Sequence, residues 1–205
     1  MIRHIPNALT VGRLIMTVVL LALVLMSPEA DNHTRLLDIA FVLFVVAGLT
    51  DIVDGWMARR YEVTSKFGRI VDPLADKVLV CGSFICFAII GEPRLFSLSD
   101  RMHAIIHWSV VVILLSREIY VTVLRQWAES KGINFAATAS GKLKMFFQSF
   151  SIGTVLVKAG HLPTATWGYW FTSIVFTLMV VTTVYSGLRA TQRKCLKENV
   201  NEETP

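Results

Sequence analysis

Two short stretches of this sequence determine its fold and its chemistry: DIVDGWMARR at residues 51–60 and GRIVDPLAD at residues 68–76. Together they contain four aspartates, which are Asp51, Asp54, Asp72 and Asp76. The first two are three residues apart and the last two are four apart, so on α-helices each pair lies on one face. We therefore expect a helical hairpin in which two carboxylate-bearing faces look at each other.

These carboxylates lie next to apolar sequence and need positive charge to offset their burial. One charged residue at the centre of a membrane helix costs about 2.5–3.5 kcal/mol, so four would cost about 10 kcal/mol without compensation. Two divalent cations would neutralise the four charges, and ligation by oxygen alone favours magnesium or manganese. Paired metals are a recurring device for phosphoryl chemistry. The sequence therefore predicts that the four aspartates hold two divalent cations, Mg²⁺ or Mn²⁺.

Small residues lie on the same helical faces as the aspartates. Gly55, Ala58 and Gly68 lack side-chain bulk, which lets a ligand approach the backbone closely. Arg59 can form a two-pronged contact with phosphate oxygens. These features favour a pocket for a phosphate-bearing substrate. The alternative is a small cation transporter whose aspartates bind the transported ion, but this gives no reason for Arg59 or for the glycines.

The composition is that of a membrane protein. Of 205 residues, 54% are hydrophobic and 17% are charged, and the mean hydropathy is +0.57, whereas about a quarter of an average soluble domain is charged. This balance excludes a disordered chain, collagen and a disulfide-stapled scaffold. The three cysteines have no metal-binding or redox spacing. The net charge of +5 points to an anionic membrane surface and not to nucleic acid.

Six apolar stretches predict an all-α integral membrane protein with six transmembrane helices, near residues 8–26, 36–58, 70–91, 104–124, 143–161 and 166–188. The fifth is the most polar, so we expect one of its sides to pack against protein. Residues 1–190 then form a single membrane-embedded domain. Residues 191–205 form a polar tail that we expect to be disordered.

Basic residues collect near the N-terminus and after the second, fourth and sixth stretches. The positive-inside rule therefore predicts that both termini are cytoplasmic. We expect a multi-pass protein of the cytoplasmic (inner) membrane whose aspartate hairpin faces the cytoplasm.

The spacing Asp-x2-Asp-Gly-x2-Ala-Arg-x8-Gly-x3-Asp-x3-Asp, from Asp51 to Asp76, resembles the signature of the CDP-alcohol phosphatidyltransferase family at every defined position. The resemblance implies the family fold, a homodimer, and an enzyme that displaces CMP from a CDP-linked lipid with an alcohol. It also implies that the four aspartates hold two metals and that Asp76 is the general base. The residues implied to line the CDP pocket are Gly55, Ala58, Arg59 and Gly68.

A second group of basic residues bears on the acceptor alcohol. Arg117 and Arg125 are about two helical turns apart, and Lys142 and Lys144 begin the fifth apolar stretch. A basic pocket beside a dimetal site suits an acceptor that already carries a phosphate. Ordinary positive-inside anchoring is the alternative explanation for the two lysines. Further candidate contributors are Thr10 and Arg13.

Nearly the whole chain up to about residue 190 resembles the bacterial branch of the family that uses glycerol 3-phosphate, apart from Met145, where that branch commonly has Thr. The resemblance implies that CDP-diacylglycerol and sn-glycerol 3-phosphate are the substrates. Another acceptor in the same family, such as phosphatidylglycerol in a cardiolipin synthase, remains the alternative.

Overall fold

A computed structural model describes the backbone at residues 5–61, 66–95, 98–131, 139–162 and 164–202. It describes side chains at residues 10–53, 71, 73–95, 98–131, 139–162 and 164–192. The described backbone contains helices and no strand, as predicted. The six α-helices are α1 (Ile5–Met26), α2 (His33–Tyr61), α3 (Lys66–Ile90), α4 (Asp100–Ser130), α5 (Ala139–His161) and α6 (Thr166–Glu202). One 3-10 turn, Ser27–Glu29, joins α1 to α2.

Five of these helices (α1, α2, α3, α4 and α6) are long and apolar enough to cross a membrane. Helix α5 is not among them, although its 23 residues would extend about 35 Å at the usual rise of 1.5 Å per residue. Composition separates it from the others, because it buries a row of polar side chains: Ser140, Lys144, Gln148, Ser151 and Lys158. The expectation that this stretch packs against protein is confirmed.

The helices form a bundle in which α1 and α5 occupy central positions. Helix α1 packs against α2 and α3, while α5 packs against α2, α6 and, over a shorter length, α3. Helix α4 closes the bundle by packing against α3 and α6. The apolar core draws on all six helices, with Leu20, Val24, Leu37, Phe84, Phe87, Leu114, Ile152, Leu156, Phe176 and Met179 among its buried side chains.

The outer surface is apolar, as expected of a protein whose solvent is lipid. Large hydrophobic side chains stay exposed along several helices, including Ile15, Val18, Val42, Val112, Phe146, Ile174 and Val181. Buried polar groups lie inside, among them Thr10, Arg13, Lys144, Gln148 and Ser186. Because hydrocarbon cannot solvate polar groups, they must find partners within the bundle.

Helix α6 extends further than the sixth apolar stretch. Its backbone is helical to Glu202, so residues 191–202 differ from the disordered tail that their polarity suggested. The segment is rich in good helix formers, including Gln192, Lys194, Leu196 and Lys197, so the helix can continue past the apolar region. Polarity did not indicate where the helix ends.

Candidate active site

The aspartate stretches lie on two successive helices that share a neighbour. Asp51 is in the last third of α2, Asp76 is in the first half of α3, and both helices pack against α1. Asp51 is half-exposed and Asp76 is partly buried. The two carboxylates are near enough to repel each other as like charges.

The other predicted members of this site lie outside the described side chains. The backbone at each of their positions is helical, in α2 or α3. These residues are the aspartates Asp54 and Asp72 and the expected CDP-pocket residues Gly55, Ala58, Arg59 and Gly68.

Arg13 of α1 provides positive charge beside the aspartates. Its Nη1 lies 2.5 Å from Oδ1 of Asp51, and only 2% of its side chain is exposed. Arg13 also attracts the Asp76 carboxylate. Thr10, one helical turn earlier on α1, is buried too. The structure therefore brings Arg13 to the carboxylates expected to bind metal.

A second cluster of charges joins α4, α5 and α6. The Lys144 ammonium of α5 donates to Oε1 of Glu118 on α4, and Arg117 Nη1 donates to the same oxygen over 3.0 Å. Arg117 Nη2 donates to the Ser186 hydroxyl of α6 at 2.5 Å. The charged side chains are largely buried, with exposed fractions of 8% for Lys144, 13% for Arg117 and 14% for Glu118. We call these four residues the Glu118 cluster.

Asp76 connects the two charged groups. Its carboxylate is attracted by Lys144 and Arg13 and repelled by Asp51 and Glu118. The Asp76 carboxylate therefore interacts both with the Arg13–Asp51 pair and with the Lys144–Glu118 pair. A proton acceptor at this position would be in reach of substrates held from either side.

Of the four cationic residues expected to bind the acceptor, two lie together in the Glu118 cluster and two lie outside it. Arg117 and Lys144 share Glu118, whereas Arg125 and Lys142 are exposed and take no part in the described contacts of that cluster. Residues eight apart on a helix differ in direction by about 80°, which turns Arg125 away from Arg117. Residues two apart point in different directions as well, and Lys144 is the lysine that faces inward.

Glu118 and Ser186 are site residues that the sequence analysis missed. Glu118 could have been found, because a carboxylate next to an arginine in apolar sequence requires the same explanation as the four aspartates. Ser186 gave no such signal, since an isolated serine in an apolar helix is ordinary. Its role depends on the packing of α4 against α6.

The described carboxylates of this site are chemically suited to bind a divalent cation. Asp51 and Asp76 offer carboxylate oxygens, the ligands that Mg²⁺ and Mn²⁺ prefer, and their mutual repulsion is relieved by a bound cation. Within the described side chains, no three His, Cys, Asp or Glu residues form a metal-binding group. Asp54 and Asp72 lie outside those side chains, so the full set of four aspartates remains a prediction.

The fold and the site together define a class of protein: a helical membrane protein with acidic residues and buried cations suited to phosphate chemistry. The sequence profile of the family described as "CDP-alcohol phosphatidyltransferase" matches residues 3–185. The chain belongs to this family and is a CDP-alcohol phosphatidyltransferase, a transferase of phospholipid biosynthesis. Enzymes of this family generally use divalent cations in catalysis.

Several relatives match most of the chain. A protein of Mycobacterium tuberculosis named "Probable phosphatidylglycerophosphate synthase" is 32% identical over 91% of this chain and 79% of its own length. The "CDP-diacylglycerol--glycerol-3-phosphate 3-phosphatidyltransferase" of Bacillus subtilis is 30% identical over 90% of this chain and 91% of its own. A Rickettsia typhi protein of the same name is 28% identical over 76% of this chain and 77% of its own.

Proposed function

We propose that this enzyme transfers the phosphatidyl group of CDP-diacylglycerol to sn-glycerol 3-phosphate, producing phosphatidylglycerophosphate and CMP. The observation that carries the proposal is the pair of buried cations, Arg117 and Lys144, which share Glu118, with Lys144 also attracting the Asp76 carboxylate. The names of relatives covering most of the chain support the same acceptor.

The acceptor's phosphate would bind at Arg117 and Lys144. Both side chains are largely buried, so their charges are poorly screened and attract an anion strongly. An acceptor without phosphate would have no use for two buried cations. Arg125 and Lys142 are exposed and would attract the anionic acceptor to the entrance over a longer range.

Asp76 would act as the general base. With the acceptor's phosphate held by Lys144, its free hydroxyl can point back toward the Asp76 carboxylate. As the hydroxyl oxygen bonds to the lipid-side phosphorus, its proton passes to Asp76 and the diphosphate bond breaks. The electron pair of that bond leaves with CMP, so atoms and charge balance.

The donor's diphosphate would lie on the other side of Asp76. Asp51, Asp54, Asp72 and Asp76 would hold two divalent cations, magnesium or manganese, which when bound supply positive charge to the phosphates and the departing CMP. The CDP moiety would lie along Gly55, Ala58, Arg59 and Gly68. Arg13, which with Thr10 is expected to contribute to acceptor binding, lies beside Asp51 and would supply further positive charge there.

The enzyme would work at the cytoplasmic face of the inner membrane, as a homodimer with both termini in the cytoplasm. The five apolar helices support a multi-pass protein. The basic connections and the solubility of glycerol 3-phosphate and CMP support the cytoplasmic side.

An acceptor assay tests the proposal. Purified protein in detergent micelles is given CDP-diacylglycerol and Mg²⁺ with radiolabelled glycerol 3-phosphate, phosphatidylglycerol, serine or inositol phosphate. We expect CMP release and a labelled lipid with glycerol 3-phosphate. Turnover with phosphatidylglycerol alone would identify a cardiolipin synthase instead. Cation flux into proteoliposomes without nucleotide would favour the transporter alternative.

A chelation experiment tests the metal requirement. We expect CMP release to stop in EDTA and to return when Mg²⁺ or Mn²⁺ is added in excess. Activity that persists after thorough chelation would contradict a role for the aspartates in holding metal.

A further inference from the structure

Glu118 places a negative charge where the proposed function requires positive charge. Its carboxylate lies between Arg117 and Lys144, the two cations expected to bind the acceptor's phosphate. A carboxylate there repels an incoming anion and halves the charge of the pair. Its presence in a largely buried position therefore needs a reason other than direct binding.

The geometry supplies that reason, because one oxygen of Glu118 receives both cations. Oε1 accepts from Lys144 of α5 and from Arg117 of the same helix as Glu118. Ser186 of α6 holds the second arm of Arg117. Two buried like charges repel each other, and only a shared anion keeps them together before substrate arrives.

Lys144 also has a competing partner. Its ammonium also attracts the Asp76 carboxylate. Without Glu118, the Lys144 ammonium would be drawn toward the Asp76 carboxylate. The acceptor's phosphate would then lose one of its two cations, and Asp76 would be occupied by a counter-ion.

We propose that Glu118 is a positioning residue. It holds Lys144 and Arg117 together as a preformed binding site for the acceptor's phosphate, and it keeps Lys144 away from Asp76. The proposal rests on the proposed function, since it presumes a phosphate-bearing acceptor. Glu118 itself would touch neither the donor nor the reacting atoms.

Glu118→Gln tests this role, because it preserves shape and removes charge. We expect KM for glycerol 3-phosphate to rise about tenfold to a hundredfold, the effect of losing a hydrogen bond to a charged group. KM for CDP-diacylglycerol should stay within about threefold, because the donor lies on the other side of Asp76. The thermal stabilisation of the protein by glycerol 3-phosphate should weaken in parallel, which gives a readout independent of turnover.

Glu92→Gln is the matched control. Glu92 is another described carboxylate that lies near a largely buried lysine, at 4.0 Å from Lys158, whose side chain is 3% exposed. This pair lies where α3 and α5 end, at the opposite end of both helices from Asp76 and Lys144. The control should lower Tm without changing either KM, so a general loss of stability can be distinguished from a specific loss of acceptor binding.

A double mutant tests whether Glu118 acts through Lys144. In a Lys144→Gln background, Glu118→Gln should raise KM for glycerol 3-phosphate by less than about twofold, because its effect is already lost. Should Glu118→Gln fail to fold, Glu118→Asp replaces it, because a shorter carboxylate cannot reach both cations and should raise the same KM.

Three results would overturn the proposal: an unchanged or lower KM for glycerol 3-phosphate in a folded Glu118 variant, an equal rise in both KM values, or full additivity with Lys144→Gln. Failure of the proposed function would be visible separately, as wild-type protein that releases no CMP with glycerol 3-phosphate.

Discussion

Asp76 is the residue on which the two halves of the site converge. Its carboxylate is attracted by a buried arginine, Arg13, and by a buried lysine, Lys144. Asp76→Asn keeps the size of the side chain and removes its ability to accept the proton. We expect CMP release to fall at least about 10²–10⁴-fold, the usual contribution of general-base catalysis.

Binding of CDP-diacylglycerol should largely survive in the Asp76→Asn variant, because the other three aspartates remain. The donor's effect on Tm measures this binding without turnover. Near-normal turnover in the variant would exclude Asp76 as the base. Loss of donor binding together with activity would indicate a metal-holding role alone.

Lys142 and Lys144 provide a matched pair at the acceptor side. Lys144 is buried against Glu118, whereas Lys142 is exposed two residues earlier on α5. We expect Lys144→Gln to raise KM for glycerol 3-phosphate about tenfold to a hundredfold, and Lys142→Gln to change it by less than about threefold. Steady-state kinetics at saturating donor measures both. Equal effects would mean that both lysines act only through long-range charge.

At the level of single residues, sequence spacing did not always predict which way a side chain points from its helix. The aspartate spacing indicated the motif because three and four residues bring side chains to one helix face. The same reasoning did not separate Lys142 from Lys144, and it paired Arg117 with Arg125 although eight residues leave an offset of about 80°. Glu118 was overlooked because its partner Lys144 is 26 positions further along the chain.

At the scale of elements, α1 packs against both aspartate-bearing helices, α2 and α3. Arg13 of α1 forms an ion pair with Asp51 of α2. Its guanidinium therefore provides positive charge to a carboxylate that is also expected to bind metal. Arg13→Gln should lower Tm in EDTA by an amount equivalent to about 1–3 kcal/mol, the cost of an unpaired group in a charged contact. Added Mg²⁺ should raise Tm more in the variant than in wild type, because bound metal replaces the lost charge.

Thermal unfolding in detergent, with and without Mg²⁺, measures this difference. Arg35→Gln, an exposed arginine near the start of α2, is the control and should behave like wild type. An equal Mg²⁺ effect on Tm in wild type and Arg13→Gln would contradict the idea that Arg13 and metal compensate the same carboxylates.

Close packing of α1 against α3 depends on a glycine. A Cβ added to Gly82 would lie 2.7 Å from Cδ1 of Leu21, whereas one added to Gly48 of α2 would meet nothing within 4 Å. We expect Gly82→Val to lower the free energy of unfolding by about 1–3 kcal/mol through overpacking. Gly48→Ala should be neutral or stabilising, because alanine favours helix. Thermal or denaturant unfolding in detergent compares the two, and equal stability would mean that Leu21 moves aside freely.

The composition of the sequence predicted the six helices and the environment of α5, but not the full length of α6. The apolar stretches located the six helices, and their polarity singled out α5 as the one that faces protein. The extension of α6 to Glu202 was missed because apolar content reports burial, while helix formation continues wherever the residues favour it.

At the scale of the whole molecule, large hydrophobic side chains face outward, and the charges of the candidate site lie inside the bundle near one end. Asp51 lies in the second half of α2, Asp76 in the first half of α3, and Lys144 near the start of α5. These positions fall at the end of the bundle flanked by basic connections. Chemistry on a soluble acceptor requires this end to face the compartment that contains glycerol 3-phosphate.

This orientation predicts which cysteines an impermeant reagent can reach. Cys195 lies in the basic C-terminal segment, and Asn32 lies between α1 and α2 at the opposite end. In a Cys81→Ala/Cys86→Ala background, Cys195 in right-side-out membrane vesicles should react with a membrane-impermeant maleimide only after detergent is added. Asn32→Cys in the same background without Cys195 should react before detergent. Labelling of Cys195 in intact vesicles would reverse the topology, and it would put the Arg117–Lys144 pair on the side without glycerol 3-phosphate.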